Sequence, residues 1–209
     1  MFALSALASA SASAATCTTK PCFTGPYPNT FTTTSGAGTL ETAGGTKVKC
    51  TSDSTEGGEV TGEKTDKVKA VIFKGCESSG FKCNTSGAAA GEIKTNELES
   101  TLGYINKTTK TVGIDLQPKG GGNFATFECT AFVKVTVKGS IIGTITPINT
   151  ETTKYKLVFK QTKGKQETQN LEGAAKDTLE SSVNGGAFEG SGLESSEELT
   201  LAKAAKLEA

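Results

Sequence analysis

Apolar side chains in this chain recur at every second position, in short runs, and nowhere at the sustained spacing of a helix face. Val112, Ile114 and Leu116 share one side of a run that has Asp115 on the other. Val133, Val135 and Val137 alternate with Lys134, Thr136 and Lys138, and Tyr155, Leu157 and Phe159 alternate with lysines at 154, 156 and 160. A period of two belongs to an extended strand with one face buried and one face wet. Leu98, Leu102 and Tyr104 line another such strand, and Asn106-Lys107-Thr108-Thr109-Lys110 turns it into the strand that starts at Thr111. Further strands are expected over residues 68–73, 141–146, 179–183 and 198–201. The 33 threonines support the same reading, because a β-branched side chain favours extended backbone. No segment combines a helical period with caps; residues 202–209 read either as a helical turn or as the end of the last strand. Pro118-Lys119-Gly120-Gly121-Gly122 reads as a flexible loop and Ser195-Ser196-Glu197-Glu198 as a turn. The expected fold is all-β: an antiparallel barrel-like sheet or a two-sheet sandwich of short strands, with the barrel favoured.

The chain has six cysteines, at Cys17, Cys22, Cys50, Cys76, Cys83 and Cys129. An even number in an exported chain implies a disulfide framework. Sequence proximity pairs Cys17 with Cys22 and Cys76 with Cys83. That leaves Cys50 for Cys129, each sharing a strand face with apolar neighbours: Val48 beside Cys50, Ala125 and Phe127 beside Cys129. A bridge closing so long a loop would stabilise the fold by roughly 4 kcal/mol on the chain-entropy model. Zinc is the competing use of cysteine, but only Cys17 and Cys22 approach the spacing of a zinc knuckle and there is no histidine to complete a site.

Residues 1–15, MFALSALASASASAA, are small and apolar and carry two Ala-x-Ala sites, at Ala10-Ser11-Ala12 and Ala12-Ser13-Ala14. They resemble the end of a secretory signal peptide whose basic n-region is missing. Residues 16–35 read as a Cys/Pro-rich N-terminal arm clipped by the first disulfide, and residues 36–209 as a single β domain. No later stretch is apolar for long enough to span a bilayer as a helix.

Histidine, arginine and tryptophan are absent, and 22 lysines balance 22 acidic residues. A neutral chain has no long-range field to steer it onto nucleic acid or an anionic membrane, and arginine is the main residue for bidentate phosphate and guanine contacts. No nucleic-acid partner is therefore expected. Serine or cysteine nucleophiles paired with histidine cannot be built.

Two near-motifs fail at identifiable places. Gly57 and Gly62 have the separation of a P-loop, but Glu63 stands where its lysine must be, so the segment reads as a hairpin turn. Ser79-Gly80-Phe81-Lys82 matches Ser-x-x-Lys without the companion motifs or the helix. Carboxylate-pair hydrolysis remains open, with Asp53, Asp66, Asp115 and Asp177 available but in no distinctive motif. Asp53-Ser54-Thr55-Glu56 lacks the EF-hand spacing and reads as a turn of solvated carboxylates. Asn84-Thr85-Ser86 and Asn106-Lys107-Thr108 are glycosylation sequons by pattern. No cofactor, metal or catalytic residue is expected.

Several stretches carry a resemblance: Gly75-Cys76 through Cys83, Gly91-Glu92-Ile93-Lys94-Thr95, Leu102-Gly103-Tyr104-Ile105, the run from Gly139 to Pro147, and Gly192-Leu193-Glu194-Ser195. Through them the chain resembles uncharacterised secreted proteins of soil actinobacteria over most of its length after about Gly38. The resemblance implies secretion and carries no activity. The expected function is that of a non-enzymatic exported protein, secreted or at the cell surface, in a structural or binding role. A cell-envelope component or a small apolar ligand would be its partner. The alternatives are a barrel carrier of a small apolar ligand and a carboxylate-based hydrolase.

Overall fold

The computed structural model describes residues 17–129 and 133–209, and every regular element among them is a β-strand. The leader-like residues 1–15 and the first position of the strand expected from Phe132 lie outside the described residues. Eight antiparallel strands close a barrel. Around it run Asn29–Ser35, Gly58–Val60, Thr65–Val68, Leu98–Asn106, Thr111–Pro118, Ile141–Thr146, Glu151–Phe159 and the second half of Glu189–Glu208, which pairs back onto Asn29–Ser35. Closure removes the free edges that an open sheet of this length would present.

The alternation seen in the sequence is the reason for this architecture. Every odd position from Leu193 to Leu201 points inward, as do Phe31 and Thr33, while Leu98, Ser100 and Leu102 are buried between exposed or half-buried neighbours. Tyr155, Leu157 and Phe159 fill the interior from the neighbouring strand. Two interior positions need glycine because an aromatic ring lies against the backbone. A Cβ on Gly58 would sit 2.5 Å from the Phe31 ring, and one on Gly143 would sit 2.6 Å from the Phe159 ring. Outside, lysines and glutamates meet across strands, as in Lys67–Glu59 at 3.0 Å, Lys138–Glu180 at 3.1 Å and Lys154–Glu198 at 2.7 Å. Such exposed pairs contribute at most about 1 kcal/mol each, so the lysine-striped faces are solvated surface, with their charge matched locally.

A further set of strands forms a second lobe on the same framework. Asn123–Glu128, Lys134–Lys138, Glu180–Val183, the first half of Glu189–Glu208, Gly38–Thr42, Lys47–Cys50, Glu77–Ser78 and Phe81–Lys82 pair in that order. The isolated bridge between Asn84 and Glu128 returns the ring to its first strand. Glu189–Glu208, 20 residues long, is therefore common to both lobes.

Several expected boundaries shift for physical reasons. The strand expected over residues 68–73 is two, Thr65–Val68 and Ala70–Lys74, interrupted at Lys69 opposite Gly57, whose φ is +65°. The two pieces pair outward with different partners, Leu98–Thr101 and Ile93–Lys94. Residues 202–209 end the long strand and are not helical. Ser195-Ser196-Glu197-Glu198 is no turn but the middle of that strand. Asn29–Ser35 lies in the barrel wall, hydrogen-bonded on both sides, so the barrel begins before Gly36.

The disulfides correct the expected pairing at two of three bridges. Cys17 bonds Cys22 as expected, but Cys50 bonds Cys76 and Cys83 bonds Cys129, against the expected Cys76–Cys83 and Cys50–Cys129. The register explains why. The small hairpin Glu77–Ser78/Phe81–Lys82 is inserted between Lys47–Cys50 and Asn123–Glu128. Lys49 opposite Glu77 sets Cys50 across from Cys76, and Asn84 opposite Glu128 sets Cys83 across from Cys129. Cys50 and Cys129 are then three strand spacings apart, about 14 Å, well beyond disulfide reach.

Candidate functional site

The chemically unusual place in this molecule is the junction of the two lobes, where the inward face of the barrel changes from apolar to acidic. Glu197, on the long strand, stands directly opposite Ser35 on Asn29–Ser35. Asp53, on Ser52–Glu56, flanks Ser35 from the other side, since Thr34 and Ser54 are partners. The three lie in one row across three adjacent strands. Asp53 is 4 % exposed and Glu197 7 %. Ser35 donates to Asp53 Oδ2 at 2.6 Å, Ser195 donates to the same oxygen at 3.2 Å, and the Asp53 N–H donates to Ser35 Oγ at 2.7 Å. Asp53 Oδ1 is buried without a partner. Burial pushes the Glu197 carboxyl up to about 8, with the neighbouring Asp53 charge adding to the effect and the Thr33 hydroxyl opposing it. Asp53 is also raised, by burial first, against the two serine hydrogen bonds. The cause is plain in the residue types: two carboxyls face a closed interior with hydroxyls around them.

A third carboxyl, Asp66, is also buried, and the Ser100 hydroxyl donates to it; burial raises it to about 6. Asp115 sits on the outer face beside Ser140, raised by burial and then by the charge of Asp177. These acids form no single cluster: Asp66 and the Asp53–Glu197 row occupy different parts of the barrel wall, while Asp115 and Asp177 neighbour each other outside it.

Asp53 and Glu197 lie buried on strands, where the residue chemistry predicts a turn of solvated carboxylates for the first and a turn at 195–198 for the second. The signal was present: Leu193, Ser195, Glu197, Leu199 and Leu201 keep one parity, so Glu197 belongs to the apolar face on which its neighbours sit. Glu56, by contrast, is at the surface between Lys69 at 2.5 Å and Lys94 at 2.7 Å, and these hydrogen bonds hold its carboxyl down at about 2.

The second lobe encloses an apolar cavity of about 50 Å³, lined by Leu40, Val48, Phe127, Val137 and Leu193 among others. Ligand pockets run to several hundred Å³. Ser79 and Lys82 lie on the small hairpin, with Phe81 between them 59 % exposed, and have no enclosed site around them. Asn106 accepts from the Thr109 N–H and so braces the expected hairpin turn, and Asn84 takes part in the bridge that closes the second lobe. Among the described residues no group of three or more His, Cys, Asp or Glu could hold a metal ion, and no helix is long and apolar enough to cross a membrane. Comparison with protein-family models, with curated proteins and with solved structures gave no match.

Proposed function

We propose that this is a non-enzymatic protein exported from the cell, secreted or held at the cell surface, and acting there in envelope structure or in binding through its outer face. The observation that carries this reading is the set of three disulfides, one in the N-terminal arm and two in the second lobe, that use all six cysteines. Bridges of this kind form and persist in oxidising compartments. The nearly filled interior supports a structural body rather than a carrier, because about 50 Å³ is too little for a small apolar ligand. The near-complete burial of Asp53 and Glu197 supports a non-catalytic role over carboxylate hydrolysis, which needs both acids beside a substrate. Expression of the full chain in a bacterial host with a functional export pathway tests the reading. The expected result is protein outside the cytoplasm whose intact mass rises by six hydrogens on reduction. Protein that stays in the cytoplasm with six free thiols and full solubility refutes it.

A further inference from the structure

The row Asp53–Ser35–Glu197 is placed where both lobes share their framework, and its composition gives it a second role. Facing it from Asn29–Ser35 are Thr33 and Ser35, and from Ser52–Glu56 Asp53 itself and Thr55. From Ala70–Lys74 comes Phe73, paired with Asp53; from Glu151–Phe159 come Leu157 and Phe159; from the long strand come Ser195 and Leu199. The two acids are the only titratable groups in that set. Lys154 and Glu198, the nearest ion pair along the same strands, lie on the outer face and bond each other at 2.7 Å. Two buried carboxyls with hydroxyls between them and no cation to balance them cannot both be ionised without water entering.

We propose that this row is a proton-operated latch: with a proton on Glu197 the junction of the lobes is closed, and release of that proton to solvent as the pH rises opens it. The sign follows from the raised folded-state value. The unfolded chain gives up this proton near 4.5 and the folded one near 8, so the stabilisation is complete below about 4.5 and is lost as pH rises toward 8. Above neutral pH the folded protein holds a carboxylate in its wall, and the cheapest relief is local separation of Asn29–Ser35 from the long strand. Such a latch suits a protein that stays closed in a mildly acidic exterior and yields where the surroundings turn alkaline.

The test is hydrogen exchange of the full, oxidised protein at pH 6.0 and 8.5, corrected for intrinsic rates, in the wild type and in Glu197→Gln, which keeps the shape and removes the titration. The expected result is that amides of residues 31–35 and 195–199 lose protection by tenfold or more at the higher pH in the wild type and by less than twofold in the variant. Amides of Leu102–Asn106, on the far side of the barrel, change little in either. Asp66, raised only to about 6, titrates too low to supply the change between those conditions. Equal pH dependence in wild type and variant, or a loss spread evenly over the barrel, overturns the proposal. If Glu197→Gln does not fold, Asp53→Asn serves instead: removing the charge beside Glu197 lowers its folded-state value, so the loss of protection between pH 6.0 and 8.5 must shrink, and an undiminished loss counts against the latch.

Discussion

The pairing of Cys83 with Cys129 and of Cys50 with Cys76 makes a quantitative claim about the unfolded chain. The two bridges close loops of 46 and 26 residues that do not overlap. On the chain-entropy model each removes a loop-closure entropy that grows with the logarithm of its length, giving about 4 kcal/mol for the longer loop and about 3.5 for the shorter. Replacing both cysteines of one bridge by alanine should therefore lower the urea midpoint by about 1.5 M at a slope of ~2.5 kcal/mol per molar, followed by circular dichroism because the chain has no tryptophan. Non-overlapping loops act independently, so removal of both bridges should cost about 7.5 kcal/mol, comparable with the entire stability of an ordinary domain. The same variants decide the connectivity. Oxidised Cys50→Ala/Cys76→Ala protein, alkylated under denaturing conditions, should take up no label, because Cys83 and Cys129 still bond each other. Two labelled thiols in that variant, at Cys83 and Cys129, would refute the argument from register. They are what the Cys76–Cys83 and Cys50–Cys129 pairing requires.

Gly143→Ala should cost about 1–3 kcal/mol in thermal or urea unfolding, because its Cβ would sit 2.6 Å from the Phe159 ring, and adding Phe159→Leu should restore part of the loss. Tyr155→Phe removes the donor that the buried Tyr155 hydroxyl supplies to Ala205 O at 2.7 Å and should lower stability by about 1–2 kcal/mol with no change of fold by circular dichroism. Asp66→Asn should flatten the pH dependence of stability between about pH 4 and pH 6. Its folded-state value is raised from 3.8 to about 6, so the wild type loses up to roughly 3 kcal/mol over that window as pH rises, and the difference between the two proteins isolates the effect. Parallel pH curves for the two proteins would mean that Asp66 is not the buried acid described.

Period-two alternation makes Lys134–Lys138 and Glu151–Phe159 readable from the sequence, since each has one face in the core and a wetter face opposite. It failed in two informative ways. The chemistry of Glu197 and Ser195 predicts a turn, although parity with Leu193 and Leu199 places them inside. Here a local preference for polar turns lost to the geometry of a continuous strand. The disulfide pairing failed because proximity in sequence says nothing about which side of a hairpin a strand lies on. Cys76 and Cys83 do sit on neighbouring strands, with the Cys83 N–H donating to Cys76 O at 3.0 Å. Each nonetheless bonds across to the strand on its other flank, a choice fixed by a register that only the assembled sheet defines. The polar, threonine-rich segment Asn29–Ser35 has little apolar signal of its own, with Phe31 its sole large apolar residue, and gains its place in the barrel from the long strand beside it.

The long strand Glu189–Glu208 also dictates the order in which this protein can come into being. It supplies wall to both lobes, it is the last element in sequence, and it pairs with some of the first, Asn29–Ser35 and Cys22–Phe23. Neither ring can close while its final residues are still on the ribosome, and contacts between segments so far apart in sequence form slowly. The growing chain therefore remains unclosed until the long strand has been made. If the chain is exported as proposed, late closure keeps it threadable: a barrel that waits for its last strand cannot jam the passage.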